Sequence, residues 1–73
     1  GVTKEDIWRA LETVVFDGLL PQYANKYLLI GFDQKWYLLE LMYNIRNDGS
    51  YNVFHAMKCR KEFYPYVEES RYV

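Results

Sequence analysis

Apolar residues in the first part of the chain recur at the spacing of a helix that buries one face. They are Ile7, Trp8, Leu11, Val14 and Val15. Thr3 is a favoured N-cap residue, and Asp6 lies three residues later, where a capping box has its acidic partner. Gly18 and Pro21 then interrupt the pattern. The sequence therefore predicts one amphipathic helix over residues 3–15.

Three strands are predicted after this helix, because short apolar or alternating stretches lie between groups of turn residues. The strands are Tyr27–Phe32, Trp36–Ile45 and Tyr51–Met57. The connections are short, and Asn47-Asp48-Gly49 is typical of a reversing turn. Consecutive strands joined in this way predict an antiparallel meander. The predicted core face of the longest strand carries Tyr37, Leu39, Leu41, Tyr43 and Ile45.

The C-terminal part is predicted to hold a short helix or a tail. A helix beginning near Lys58 is expected to end at Tyr64, because Pro65 disfavours helical angles in the residue before it. Residues 66–73 are then expected to form a tail or a short second helix. The 73 residues are thus predicted to form a single domain, 1–73, of the α+β class. An N-terminal helix packs on an antiparallel three-stranded β-meander. The chain begins without a methionine, which leaves a truncation at the N-terminus open.

Composition restricts how such a small domain is stabilised. A chain of this size buries only about 60% of its unfolded surface, whereas 51% of its residues are hydrophobic. Some apolar surface must stay exposed, so a homo-oligomer or a hetero-complex is expected. Cys59 is the only cysteine, which excludes an internal disulfide, and with His55 it is too few ligands for zinc. No metal or cofactor is therefore expected.

The location of the protein is predicted from the same residues. The longest apolar runs fall far short of the ~20 residues that span a bilayer, so no membrane association is expected. The lone cysteine and the lack of a leader segment predict a cytoplasmic protein.

The segment His55–Lys61 concentrates positive charge in a chain whose net charge is −1. Cations next to aromatic rings suit RNA, because the charges hold phosphates and the rings stack on unpaired bases. Metal-free cleavage of RNA also needs proton-transfer groups and cations around the phosphate. The candidate catalytic residues are His55, Lys58, Arg60 and Lys61. The candidate RNA-binding residues are Tyr64, Tyr66 and Arg71.

Other interpretations of the same residues stay open. A basic turn after a strand is usually solvated surface, and His55 alone is more often structural than catalytic. Cys59 is more typical of a small, partly buried residue than of a nucleophile. Tyrosines are by default core or interface residues. A non-catalytic protein-interaction module and an RNA-binding domain without chemistry are therefore the alternatives.

Four segments spread over the chain are similar to motifs that occur together in one protein family. Gly1–Asp6 is similar to a helix start of the form GVS-x-E-E, and Tyr27–Gly31 to a strand RYLLIG. Trp36–Tyr43 is similar to a strand GRLLxVVY, and Val53–Lys61 to the segment IISARKATKRE. The chain thus resembles the BrnT branch of the RelE-like toxins. It also resembles a group of small bacterial proteins that end in HAM-x-x-R-x-x-F/Y.

The resemblance implies a RelE-like fold, with N-terminal helices on an antiparallel sheet. It also implies a type II toxin that cleaves RNA without metal and that a small antitoxin neutralises. By position, Lys58 matches the lysine of the family's ARK motif, and Arg60 and Lys61 fall in the basic run after it. Met57 replaces the arginine of that motif, and the family's N-terminal strand segment is absent. A RelE-like domain that only binds fits the same resemblance.

Overall fold

The computed structural model describes residues 1–70, which form an antiparallel sheet with helical segments on both faces. In chain order the elements are helix α1 Lys4–Glu12, strands β1 Phe16–Leu19, β2 Tyr27–Phe32, β3 Leu38–Ile45 and β4 Tyr51–Lys58, a 3₁₀ turn Lys61–Phe63 and helix α2 Tyr64–Ser70. The four strands lie in the order β1-β2-β3-β4. The α+β class and the meander are confirmed. Neither helix in the described residues is long and apolar enough to cross a membrane.

Helix α1 begins where the sequence predicts and ends sooner. Thr3 and Asp6 form the capping box, with each side chain accepting a hydrogen bond from the backbone N–H of the other. The helix ends at Glu12, and the Thr13 hydroxyl donates to the carbonyl of Arg9 at 2.7 Å and accepts from the Phe32 N–H at 2.9 Å. The last turn of α1 is thereby tied to β2.

The prediction of three strands was wrong by one. Strand β1 pairs along its whole length with β2, in the stretch that the sequence presents as a break between elements. Asp17 and Gly18 have low strand propensity, so local preference does not favour a strand there. Backbone pairing with the buried strand β2 decides the conformation instead.

Helix α1 covers one face of the sheet, called here the α1 face. Its buried core consists of Ala10, Leu29, Leu39 and Leu41. Gly31 lies directly under the helix, and a Cβ at this position would overlap the backbone of Ala10. The close approach of α1 to β2 therefore requires glycine here.

The 3₁₀ turn and α2 cover the opposite face, called here the α2 face. Its buried residues are Leu20, Leu28, Ile30, Met42 and Cys59, with Phe16, Phe63 and Tyr66 among those packed around them. The prediction that β3 buries only one face was therefore wrong. Both faces of the central strands are covered, which explains the unbroken apolar run in β2. Tyr37 precedes β3 and is 56% exposed, although the sequence placed it in the core.

Pro65 begins a helix instead of ending one. Helix α2 starts at Tyr64, so Pro65 lies in its first turn, where a missing backbone N–H loses no helical hydrogen bond. The predicted helix start near Lys58 was wrong, because β4 continues through Lys58, whereas the prediction of a short C-terminal helix is confirmed by α2.

Two irregular features shape the ends of β3. Before it, the buried carboxylate of Asp33 accepts from the N–H groups of Lys35 and Tyr37, both at 2.9 Å, and Trp36 has a positive φ of 66°. Further along, β3 and β4 change register between Met42 and Tyr43. Phe54 is left without a partner, so it is the extra residue of a β-bulge.

Candidate functional site

A fully buried carboxylate, that of Glu40 on β3, is the centre of the candidate site. Its Oε1 accepts from the backbone N–H of Arg60 at 2.8 Å and from Nε of Arg60 at 3.1 Å. Its Oε2 lies 2.8 Å from Nη2 of Arg60 and 2.9 Å from Nε2 of His55. Each carboxylate oxygen thus has two close partners, which is what allows a charge to be buried.

The order of the strands brings these three side chains together. Glu40 points to the α2 face in the middle of β3, and the β3–β4 register places His55 beside Met42 on that same face. After β4 ends, the N–H of Cys59 donates to the carbonyl of Leu38 at 2.9 Å. This bond holds the chain against β3, so the backbone of Arg60 lies next to Glu40.

The electrostatics keep Glu40 charged. Burial alone raises the pKa of this carboxyl, but the hydrogen bonds from Arg60 and His55 outweigh it and hold the pKa below its usual range. The same contact with Glu40 raises the pKa of Arg60. An ionised Glu40 accepts at Oε2, so Nε2 of His55 carries a proton. The second ring nitrogen, Nδ1, is then the one available to exchange a proton.

A groove of about 670 Å³ opens beside His55 and Arg60. Its lining combines cations with aromatic rings: Leu20, Gln22, Tyr23, Lys26, Met42, Phe54, His55, Arg60, Glu62, Phe63 and Tyr66. The ammonium of Lys26 lies 4.2 Å from the ring centre of Tyr23 and 5.9 Å from that of Phe54. The guanidinium of Arg60 lies 5.1 Å from the ring centre of Phe63. Two cations, the carboxylate of Glu62 and several aromatic rings therefore share one concave site.

Three of the residues proposed from the sequence meet in this groove. His55 and Arg60 share Glu40, and Tyr66 lines the wall, packed between Phe16 and Phe63. Two of the four candidate catalytic residues and one candidate RNA-binding residue are thus placed together.

The remaining candidates lie elsewhere. Lys58 pairs with Leu39 and points to the α1 face, where its ammonium lies 5.0 Å from the ring centre of Tyr37. Lys61 and Tyr64 are exposed and do not line the groove. Arg71 lies outside the described residues. The four candidate catalytic residues therefore do not gather on one face.

The residues that sequence reasoning missed include Glu40, Tyr23, Lys26 and Phe54. Glu40 left a signal, because an acidic residue between apolar neighbours in a buried strand must find a partner. Tyr23, Lys26 and Phe54 left none, since they come from a loop and a bulge whose positions depend on the folded sheet.

Cys59 is not suited to act as a nucleophile. Burial, with a further contribution from the nearby charge of Glu40, raises the pKa of its thiol to about 11. The thiol is therefore protonated near neutral pH. Within residues 1–70, no cluster of three or more His, Cys, Asp or Glu side chains could hold a metal ion.

No protein-family model, curated protein or solved structure matches this chain.

Proposed function

We propose that this protein is a metal-independent endoribonuclease of the RelE-like toxin type, with His55 and Arg60 as its catalytic pair. The observation that carries the proposal is Glu40, a buried carboxylate that holds both side chains at the wall of one aromatic groove. A charged group is retained in a core of this size at a cost in desolvation. Its orientation of two functional side chains is a reason to retain it.

His55 is the proposed general base. With Nε2–H directed at Glu40, Nδ1 can accept the proton of a ribose 2′-hydroxyl. The 2′-oxygen then bonds to the adjacent phosphorus, and the bond from phosphorus to the 5′-oxygen breaks. The products are a 2′,3′-cyclic phosphate and a 5′-hydroxyl, the latter protonated by the Tyr66 hydroxyl or by water. Glu40 stabilises the imidazolium that forms, as a buried carboxylate does in a catalytic triad.

Arg60 is the proposed phosphate ligand. Its Nε and Nη2 are directed at Glu40, whereas Nη1 has only a long contact of 3.6 Å with the exposed Glu62. The remaining N–H groups can therefore reach a phosphate and stabilise the charge that develops on it. As a toxin of this type, the protein is expected to bind a small antitoxin protein.

Cleavage of a single-stranded RNA reporter by the purified chain, in the presence of a chelator, tests this proposal. The informative variant is His55→Gln, because glutamine still donates to Glu40 but cannot exchange a proton at the second nitrogen position. We expect its cleavage rate to fall by at least about 100-fold, the usual contribution of general acid–base catalysis. Lys58→Ala is the matched control on the α1 face and should keep full activity.

Two results would contradict the proposal. The first is a chain that leaves RNA intact under all conditions tested. The second is equal cleavage by the unchanged chain and by His55→Gln, which would indicate a contaminating nuclease. Circular dichroism of each variant separates loss of function from loss of fold. Inducible expression in bacteria adds the expectation that growth stops with the unchanged chain and continues with His55→Gln.

A second candidate function, a protein-interaction module, is favoured by a separate observation on the α1 face. Tyr27, Tyr43 and Tyr51 form a row of ring contacts, with centroid distances of 5.1 and 5.4 Å. Beyond the cover of α1, Tyr51 is 69% exposed and Leu19 is 51% exposed. Exposed aromatic surface of this kind is typical of protein interfaces.

The oligomeric state at rising concentration tests this second function. A dimer or a complex that Tyr51→Ser and Leu19→Ser dissociate, with RNA cleavage unaffected, would assign the row of tyrosines to protein binding. A monomer at all concentrations, with or without a candidate antitoxin, would count against it.

A further inference from the structure

The outer part of the groove, formed by Tyr23, Lys26 and Phe54, has no part in the proton transfer or phosphate contact proposed above. Tyr23 is 51% exposed and Phe54 is 48% exposed, so neither ring is buried in either core. Both rings nevertheless contact one ammonium, that of Lys26. Two open rings around a cation present stacking surface and positive charge at the same place.

The loop that carries Tyr23 and Lys26 is fixed by hydrogen bonds. Leu20 bonds through its N–H to the carbonyl of Lys26 at 2.9 Å, and its carbonyl accepts from Tyr23 at 3.1 Å. Asn25 has a positive φ of 53°, and its side chain bonds to both the N–H and the carbonyl of Ile45, at 2.9 and 2.8 Å. The loop is therefore anchored to β3, and its two groove residues are positioned before any ligand arrives.

Phe54 reaches the groove because of the bulge in β4. As the extra residue, it has no pairing partner on β3, yet it lines the groove together with the next residue, His55. A regular strand would send two consecutive side chains to opposite faces. The bulge thus adds an aromatic ring directly beside the proposed catalytic base.

We propose that Tyr23, Lys26 and Phe54 form a nucleotide-binding subsite, which holds the nucleotide next to the cleaved phosphate of a single-stranded RNA. The base stacks on the open rings, and Lys26 contacts the flanking phosphate. The choice of RNA rests on the proposed function. Stacking accepts every base, so the subsite supplies affinity and position more than base specificity.

Binding of a fluorescent single-stranded 2′-O-methyl RNA hexamer tests the subsite separately from cleavage. This probe has no free 2′-hydroxyl and cannot be cut by the proposed reaction. Phe54→Leu should raise its Kd by about tenfold, since one lost stacking contact weakens binding by about that factor. Lys26→Gln should raise the Kd and lower the slope of log Kd against log salt by about 0.7, the value for one phosphate contact.

Matched controls lie outside the groove. Tyr37→Leu removes an exposed ring from the loop before β3, and Lys35→Gln removes an exposed lysine from that loop. Both should leave the Kd and its salt dependence unchanged. Thermal unfolding of all four variants verifies that each is folded.

The outcomes distinguish this proposal from the catalytic one. Weaker binding by Phe54→Leu and Lys26→Gln, but not by the controls, supports the subsite even if the chain never cleaves RNA. Cleavage by a chain whose Phe54→Leu and Lys26→Gln variants bind as tightly as the unchanged protein overturns the subsite and leaves the catalytic proposal standing. Absence of hexamer binding, or equal weakening by groove and control variants, also overturns it.

Discussion

The two faces of the sheet use the same strands but differ in what they bury. The α1 face is closed by apolar contact, with Ala10 against Gly31 and a buried cluster of leucines from β2 and β3. The α2 face has an apolar core as well, but it also buries the charge of Glu40 and leaves a groove beside it. Apolar packing stabilises a small domain without a desolvation cost for charged groups. A buried charge carries that cost, and only its hydrogen-bonding and charged partners offset it. Helix α1 thus closes its face by apolar packing, whereas the α2 face carries the proposed site.

The largest expected effect comes from Arg60→Ala, which leaves the buried carboxylate of Glu40 without its charged partner. Breaking a buried ion pair on one side typically costs about 3–5 kcal/mol, most of the stability of a domain this small. Urea unfolding should show a chain that is largely unfolded or close to it at room temperature. A double variant, Glu40→Met with Arg60→Leu, should recover a large part of the loss, because it leaves no charged partner behind. If the single variant is as stable as the unchanged chain, the two faces do not differ as described.

Gly31→Ala tests the α1 face in a comparable way. The added Cβ would overlap the backbone of Ala10, so α1 must move away from the sheet. Overpacking of this kind typically costs about 1–3 kcal/mol, measured as the free energy of unfolding. Gly18→Ala is the matched control in β1, because its Cβ would meet the tip of the Phe16 ring at 3.0 Å and would not overlap backbone. RNA cleavage by folded Gly31→Ala should be retained, since the groove lies on the other face.

The free energy of unfolding is expected to depend on acidic pH through one carboxylate on each face, Glu40 on the α2 face and Asp6 at the start of α1. Glu40 has a folded pKa below its ordinary value of 4.5, so its stabilisation is present above about pH 4.5 and is lost as pH falls through the folded pKa. Asp6 at the start of α1 behaves in the same direction, because hydrogen bonds from the backbone of Gln34 and Thr3 lower its pKa from 3.8 to about 2. The free energy of unfolding should therefore decrease below about pH 4.5. The decrease should be shallower in Glu40→Gln and in Asp6→Asn, each over its own range, and identical slopes would disprove the assignment.

The smallest expected effect is an increase in affinity for the 2′-O-methyl RNA hexamer. Glu62 is an exposed carboxylate 3.6 Å from Nη1 of Arg60. On the proposed function, it would compete with a phosphate for that group. Glu62→Gln should tighten binding of the 2′-O-methyl hexamer by about twofold to fivefold, in line with the energy of an exposed ion pair. Glu69→Gln, outside the groove, is the matched control. Weaker binding by Glu62→Gln would argue that the α2 face does not receive a phosphate.

The sequence predicts the regular parts of both faces better than it predicts the site. Strand β2 was predicted to its exact bounds, since an apolar run between turn residues leaves few alternatives. Strand β1 was missed because its pairing depends on β2 and not on its own four residues. Pro65 was assigned to the wrong end of a helix, because proline is compatible with the first turn and also with the position after the last.

The site itself depends on contacts that the local sequence does not encode. Glu40 and Arg60 are twenty residues apart, and only the β3–β4 pairing makes them neighbours. Lys58 and Arg60 look equivalent in a basic run, yet the strand ends between them and the two side chains take different faces. The basic segment was therefore a correct location for candidate residues and a poor guide to which of them act together.

The bulge in β4 makes one position of a strand tolerant of changes in length. Because Phe54 pairs with no residue of β3, its deletion would join Val53 to His55 while each keeps its present partner, Tyr43 or Met42. Elsewhere in the strand, the loss of one residue would turn every later side chain to the opposite face. Sequence length can thus vary at the wall of the groove without disturbing Glu40 or the two cores. A library of deletions and replacements at this single point would change what the groove accepts while the scaffold beneath it stays constant.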